Sequence, residues 1–139
     1  MARRLAIASD HGGFALKRYI ARRMECVDLG PENDAPVDYP DYAAKVVDFV
    51  AGNPGSMGVL ACRTGTGMMI AANRDRRVRA ALLYSRMSAI KARTHEDANV
   101  AVLAAGQFSR RQNLAWLRVF LETPFPRVAR HMRRIKKIS

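Results

Sequence analysis

Short apolar runs alternate with amphipathic segments along the whole chain. Each apolar run ends at a polar or glycine-rich turn, and helical periodicity follows. The predicted strands cover 5–9, 26–29, 58–61, 78–83 and 100–104. The predicted helices cover 14–20, 41–49, 68–72, 85–94, 110–122 and 127–138, with Asp41 and Ser85 as expected N-caps.

This alternation is typical of a parallel sheet covered by helices. Right-handed crossovers then predict an α/β fold: a single Rossmann-like, doubly wound domain over 1–139, with a five-stranded sheet, helices on both faces and a basic C-terminal helix. In such sheets, ligands bind beyond the carboxyl ends of the strands. We therefore expect the turns 10–13, 62–67 and 94–99 to meet at that edge.

The charge balance indicates an anionic partner. Lysine and arginine number 24 against 12 acidic residues, which gives a net charge of +12 and a pI of about 10.8. Phosphorylated metabolites, nucleic acid and anionic membranes would all be attracted to such a protein. The basic run at 127–137 has no acidic residue, but a solvated helix face explains it equally well.

Membrane and disulfide classes are not favoured. No apolar run approaches the roughly 18 residues of a membrane span, and the first residues do not resemble a signal peptide. We expect a cytoplasmic protein with no membrane partner. Two cysteines, Cys26 and Cys62, are too few for a disulfide scaffold, and no Cys/His spacing indicates a metal site. Both are predicted to be free thiols.

Cys62 is the first candidate for chemistry, because it ends a predicted strand and precedes Thr64-Gly65-Thr66-Gly67. A following helix N-terminus is expected to favour the thiolate and to lower the pKa of the thiol. Backbone N–H groups of the turn can also hold an oxyanion. An inert buried cysteine is the alternative. The turn lacks the third glycine of a dinucleotide fingerprint and the Gly-Lys-Ser/Thr of a Walker loop.

Six segments together resemble the family of ribose-5-phosphate isomerase B and galactose-6-phosphate isomerase. They are 7–17, 38–43, 58–73, 79–82, 95–100 and 130–135, in family order across nearly the whole chain. The resemblance implies aldose–ketose isomerisation of a sugar phosphate, typically ribose 5-phosphate to ribulose 5-phosphate, a step of pentose phosphate metabolism. It implies a cis-enediolate, no metal or organic cofactor, and homodimers or tetramers with active sites shared between subunits.

The resemblance also implies residue roles. Cys62 is the implied proton-transfer base, and His95 with Thr64 would open the sugar ring. The implied substrate-binding residues are Asp10, His11, Gly65, Gly67, Arg130 and Arg134. Physical chemistry agrees, because one thiolate can serve both C1 and C2, and two arginines four residues apart on a helix suit a phosphate. Taken singly, these residues could instead be a helix cap, a surface histidine and a solvated helix face.

Three positions depart from the family pattern. Arg63 stands where the family has glycine, and Glu96 stands where it has asparagine. The resemblance implies a Gly-x-Arg after the last strand, whose arginine also contacts the phosphate. This chain reads Ala104-Ala105-Gly106-Gln107 there, so that arginine is absent or displaced, with Arg110 as a substitute. Because an unpaired buried charge is costly, we expect Arg63 and Glu96 to form a salt bridge between subunits.

Other functions stay open at this point. A hexose 6-phosphate isomerase of galactose or allose type would differ in substrate length, and Arg63 and Glu96 could leave a weakly active or non-catalytic homologue. A basic nucleic-acid-binding module is disfavoured, because no recognised motif is present and only one Trp and four Tyr could stack on bases. We expect an isomerase of a small sugar phosphate.

Overall fold

The computed structural model describes residues 4–139 and contains one five-stranded parallel sheet. Residues 1–3, which contribute to the expectation about a signal peptide, lie outside the described residues. The strands are β1 (Leu5–Ser9), β2 (Val27–Asp28), β3 (Met57–Cys62), β4 (Ala80–Leu83) and β5 (Val100–Ala104). Their spatial order is β2-β1-β3-β5-β4. The predicted strands are thus confirmed to within two residues.

Six α-helices accompany the sheet in the part of the chain that the structure describes. They are α1 (Phe14–Ala21), α2 (Tyr39–Gly52), α3 (Thr66–Ala72), α4 (Arg86–Thr94), α5 (Arg110–Glu122) and α6 (Ala129–Ile138). Helices α1, α4 and α5 share one apolar cluster on one face of the sheet, and α2 and α3 share a second cluster on the other face. The doubly wound α/β fold is therefore confirmed. None of the helices among residues 4–139 is long and apolar enough to cross a membrane.

The helix starts follow local chemistry, with one correction. Ser85 caps α4 as predicted and forms a capping box with Ser88. The predicted cap Asp41 is wrong, because α2 begins at Tyr39 with Asp38 at the N-cap position. Pro40 is tolerated in the first turn, where its missing N–H would have had no partner inside the helix.

The last helix begins later than its basic run predicts. Arg127 has a φ of +57°, outside the right-handed helical region, and α6 begins at Ala129. His131 is the buried residue of α6, whereas Arg130 and Arg134 are exposed. The helix therefore docks through one histidine and leaves its arginines accessible.

The strand register decides which turns share an edge of the sheet. Ser9 pairs with Ala61 and Cys62 pairs with Ala104, so β1, β3 and β5 end almost level. The turns that follow these strands, at 10–13, 63–65 and 105–109, therefore lie at the carboxyl edge. The segment 95–99 lies at the amino edge, because it leaves α4 and precedes β5. The expectation that the turn 94–99 joins the other two within one chain is wrong.

Candidate active site

Cys62 is held at the end of β3 by the turn that follows it. Its side chain is buried, with a residue exposure of 6%, and its Sγ accepts a hydrogen bond from the N–H of Gly65 at 3.1 Å. Gly65 has a φ of +81°, a conformation that glycine adopts without strain. α3 then begins at Thr66, so the thiol faces the start of this helix, as the sequence predicts.

The predicted lowering of the Cys62 pKa is wrong. Burial raises the pKa of the thiol above its ordinary value, and the charge of Asp10 raises it further. Hydrogen bonds from the amides of Met68, Gly65 and Thr64 lower the pKa but only partly offset the burial. The neutral thiol is therefore the dominant form near pH 7 in this chain.

The raised pKa predicts a shifted pH profile for Cys62. A small alkylating reagent reacts with the thiolate, so its rate with Cys62 should keep rising above pH 9, past the range in which an ordinary thiol levels off. Mass spectrometry of the alkylated peptide measures this rate residue by residue. The Cys62→Ser variant is the control, because the alkylated form of this peptide should be missing from it. A plateau below pH 8 would show instead that the helix N-terminus outweighs burial.

The turn after β1 presents Asp10 and His11 at the same edge. Asp10 is partly buried and its Oδ1 accepts the N–H of Gly13 at 2.9 Å, so it does cap the short 3₁₀ turn His11–Gly13. Its charge also acts on the Cys62 thiol. The structural and functional readings of Asp10 are thus compatible. His11 is exposed, and its Nδ1 accepts the N–H of Val37 at 3.2 Å, which leaves the ring proton of neutral His11 on Nε2.

Gly13 sets the approach of this turn to β3. A Cβ at this position would lie 2.2 Å from the carbonyl oxygen of Ala61. Gly13→Ala should therefore destabilise the fold by about 3 kcal/mol, because backbone on both sides must move. Urea denaturation measures the loss. Gly52→Ala is the control, since a Cβ there meets nothing within 4 Å. Equal stability of the two variants would contradict the tight contact.

The loop that holds His11 is anchored by a buried lysine that the sequence reasoning missed. Lys17 is 1% exposed, and its Nζ donates to both carboxylate oxygens of Asp28 at 2.8–2.9 Å and to the carbonyl of Pro31 at 2.8 Å. The loop between Pro31 and Val37 then reaches His11. The available signal was a lysine between apolar positions on the inner face of α1.

Tyr39 is a second residue without a predicted role. Its ring lies against Gly67, where a Cβ would be 2.8 Å from two ring carbons. Tyr39 is 41% exposed. The first turn of α2 thus borders the first turn of α3, and glycine at 67 makes room for the aromatic ring. The resemblance included 38–43 as a motif, which was the available signal.

The remaining predicted residues form a second group at the amino edge. His95 stacks on His131, with ring centroids 4.2 Å apart and planes 18° apart. The Nζ of Lys91 lies 3.4 Å from Nε2 of His95. Burial, and then the neighbouring charges of His95, Arg130 and Arg134, lower the pKa of His131. His131 is therefore a neutral ring against which His95 is oriented.

The two groups do not meet within one chain. From the pair Gly58–Val100 to the pair Cys62–Ala104, β3 and β5 advance four residues, or about 13 Å. Cys62, Thr64, Gly65 and Gly67 thus lie at the carboxyl edge, whereas His95 belongs to the amino edge. Arg63 and Glu96 are divided in the same way, so their salt bridge cannot form inside one chain and stays a prediction for two copies.

Arg110 does not lie in either group. Its guanidinium carbon is 5.2 Å from the centroid of the Tyr19 ring, over α1. The guanidinium carbon of Arg23 also lies over the Tyr19 ring, 3.6 Å from its centroid. Arg110 therefore packs on the outer helical layer, and this geometry does not favour it as the displaced arginine.

Comparisons with known proteins identify the family to which this fold belongs. Residues 5–138 match the family model described as Ribose/Galactose Isomerase. A ribose 5-phosphate isomerase of Thermotoga maritima with a solved structure is 42% identical, with a TM-score of 0.93, and the match covers 99% of this chain and 98% of that one.

Two further similar proteins are also named as ribose 5-phosphate isomerases of type B. The type B ribose 5-phosphate isomerase of Trypanosoma cruzi is 40% identical with a TM-score of 0.93, over 99% of this chain and 95% of that one. The ribose-5-phosphate isomerase B of Mycobacterium tuberculosis is 32% identical over 138 residues, or 95% of this chain and 85% of the relative. The chain therefore belongs to the ribose/galactose isomerase family, whose members are aldose–ketose isomerases.

Proposed function

We propose that the protein interconverts ribose 5-phosphate and ribulose 5-phosphate, with Cys62 as the base. The observation that carries this proposal is a buried thiol at the end of β3, within electrostatic range of Asp10 and next to a turn rich in backbone N–H groups. Family membership supports the reaction class, and relatives named as ribose 5-phosphate isomerases support the five-carbon substrate.

The chemistry needs one group that serves two adjacent carbons. The Cys62 thiolate takes the proton from C2 of the open-chain aldose, while the electron pair moves through C1 onto the carbonyl oxygen. A proton then passes from the hydroxyl on C2 to the oxygen on C1, and the Cys62 thiol returns its proton to C1. The product is the ketose, and no atom is gained or lost. Gly67 would offer its backbone N–H to the enediolate, while Gly65, whose N–H donates to Sγ of Cys62, would line the substrate site.

The neighbouring residues would hold the substrate around this thiol. Asp10 and His11 bind sugar hydroxyls, and Thr64 assists ring opening. Because Asp10 already accepts the N–H of Gly13, its orientation is set before substrate arrives. A raised pKa of Cys62 makes the thiol a strong base once it is deprotonated, although it lowers the thiolate fraction at pH 7.

A complete site is proposed to need two copies of the chain. The thiol belongs to the carboxyl edge of one copy, and the imidazole of His95 with the arginines Arg130 and Arg134 comes from the amino edge of another. The two arginines follow each other at a spacing of four on α6 and are exposed, which suits a phosphate group. In a homodimer, the carboxyl edge of each copy can meet the amino edge of the other, which gives two complete sites. A tetramer would consist of two such dimers.

The setting of the reaction follows from the thiol and the charge. Cys62 works only when reduced, so we propose that the enzyme acts in the cytoplasm, where thiols are kept reduced. The net charge of +12 favours phosphorylated substrates. The proposed reaction does not need nucleic acid as a partner.

The test is a direct assay of sugar phosphates of two lengths. The purified protein should form ribulose 5-phosphate from ribose 5-phosphate at a higher kcat/KM than it shows with allose 6-phosphate or galactose 6-phosphate. A higher kcat/KM with either hexose phosphate would contradict the five-carbon substrate and leave the aldose–ketose reaction unchanged. No turnover of any of the three would identify a non-catalytic homologue and contradict the proposal.

A further inference from the structure

The side chain of Arg63 runs through a slot between two glycines. A Cβ placed on Gly12 would lie 3.4 Å from Cβ of Arg63, and one placed on Gly106 would lie 2.8 Å from its Cγ. The first glycine belongs to the turn after β1 and the second to the turn after β5. The stem of Arg63 is thus confined by both turns that flank the Cys62 strand.

The backbone of Arg63 is also fixed. Its carbonyl oxygen accepts the N–H of Gly106 at 2.8 Å, and the carbonyl of Cys62 accepts the N–H of Ala105 at 2.8 Å. Gly106 does not have a positive φ, so its backbone does not require glycine. We therefore attribute glycine at 106 to the close approach of Arg63, whose Cγ would lie 2.8 Å and whose carbonyl oxygen would lie 3.1 Å from a Cβ there. The segment 104–106 is the one on which the family resemblance led us to expect an arginine.

Arg63 is an exposed residue, and its stem lies against glycines of the two turns at the carboxyl edge. Among residues 4–139, no ion pair includes Arg63. The side chain begins one residue after the thiol and lies beside the turn that carries His11. A planar fork of N–H donors in such a place matches a phosphate group better than a carbonyl or hydroxyl group.

We propose that Arg63 binds the phosphate of the substrate and replaces the arginine that is absent at position 106. This inference rests on the proposed function, because it needs a phosphorylated substrate at the Cys62 edge. One copy then supplies Arg63 to the phosphate, and the second copy supplies Arg130 and Arg134. Arg63 is a specificity-determining residue: it selects phosphorylated over unphosphorylated sugars and does not take part in proton transfer.

The test moves the arginine across the slot. Arg63→Gly should raise KM for ribose 5-phosphate about 10- to 100-fold, the loss expected for hydrogen bonds to a charged group, with little change in kcat. The double variant Arg63→Gly with Gly106→Arg should recover at least about tenfold of that loss. Without the Arg63 stem, a Cβ at 106 meets the carbonyl oxygen of residue 63 at 3.1 Å, a contact that a small backbone shift relieves. Thermal melting checks that both variants fold, and Arg22→Gln, which removes an exposed charge on the far end of α1, should leave KM unchanged.

A binding measurement separates this inference from the proposed function. Inorganic phosphate should bind the native protein more tightly than Arg63→Gly, by the same factor as the change in KM, in calorimetry without any turnover. If the variant binds phosphate more weakly but the native protein turns over no sugar phosphate, the proposed function is overturned and the phosphate site is supported. Equal phosphate affinity and equal KM in an active enzyme would overturn the role of Arg63.

The alternative partner of the Arg63 guanidinium is the carboxylate of Glu96 from a second copy of the chain. In that case Arg63→Gly and Glu96→Gln would weaken the dimer equally, and phosphate affinity would not change. Charge reversal, Arg63→Glu with Glu96→Arg, would then restore the dimer in a double-mutant cycle. That combination of results would overturn the phosphate role, whereas a dimer indifferent to all three variants supports it.

Discussion

Replacement of Cys62 by serine is expected to lower kcat for ribose 5-phosphate by about 10³-fold, the usual share of a general base. A serine hydroxyl has a far higher pKa than a thiol, so almost no alkoxide exists near neutral pH. The dissociation constant of the substrate should change little, because serine keeps the shape of the side chain and the turn after β1 is untouched. Ribulose 5-phosphate formation gives kcat, and calorimetry on the inactive variant gives the dissociation constant.

Cys26→Ser is the matched control for this variant. Cys26 is partly buried just before β2, and burial raises its pKa as it does for Cys62, but it lies outside both groups of site residues. Its replacement should leave kcat unchanged. Full activity of Cys62→Ser would mean that another group is the base, with Asp10 as the next candidate because it lies at the same edge.

Activity is expected to return when two inactive variants are mixed. Cys62→Ser loses the thiol at the carboxyl edge, and His95→Asn loses the imidazole at the amino edge. If each site combines the two edges from different copies, a heterodimer contains one intact site and one site with both defects. Random mixing should therefore recover about a quarter of the activity of the unmodified protein. The measurement is turnover after the two variants are unfolded together and refolded.

A mixture with both defects at one edge is the control. When the single variants Cys62→Ser and Asp10→Asn are mixed, every site of every dimer has one defect, so no activity should return. Tagged copies show by affinity capture whether heterodimers form. Heterodimers of Cys62→Ser and His95→Asn that stay inactive would show that each site is built from one chain, which would contradict the division between the two edges.

The fold was predictable because its signals are local. Each buried strand is a short apolar run, and the residues that end it, such as Asp10 after β1 and Thr64 after β3, are polar or lead to glycine. Helix boundaries were less certain, since Asp38 and Asp41 are both good caps and only the path of the chain into α2 selects Asp38. Arg127 looked helical for the same reason, because its positive φ depends on how the chain turns after Pro126.

The site was predictable in its residues and in the edge of the sheet to which each belongs, but not in the environment of each side chain. Cys62, Asp10 and His11 follow strands, so their meeting at the carboxyl edge could be expected from a parallel sheet. His95 follows a helix and precedes a strand, which is the sequence signal for the amino edge and was overlooked. The pKa of Cys62 could not be read from its neighbours along the chain, because burial depends on α2, α3 and β5 packing around it.

The sequence by itself determined the α/β class, the free thiol after β3, the basic charge and the family resemblance. These properties depend on residue order, on periodicity and on the identity of a few residues, all of which act over short stretches of chain. Only the tertiary structure decided that His95 stacks on His131, that burial raises the pKa of Cys62, and that Arg63 occupies the slot left by Gly12 and Gly106. These features depend on contacts between elements that are separate along the chain, and such contacts arise only when the sheet brings β1, β3 and β5 side by side and the helices pack against it.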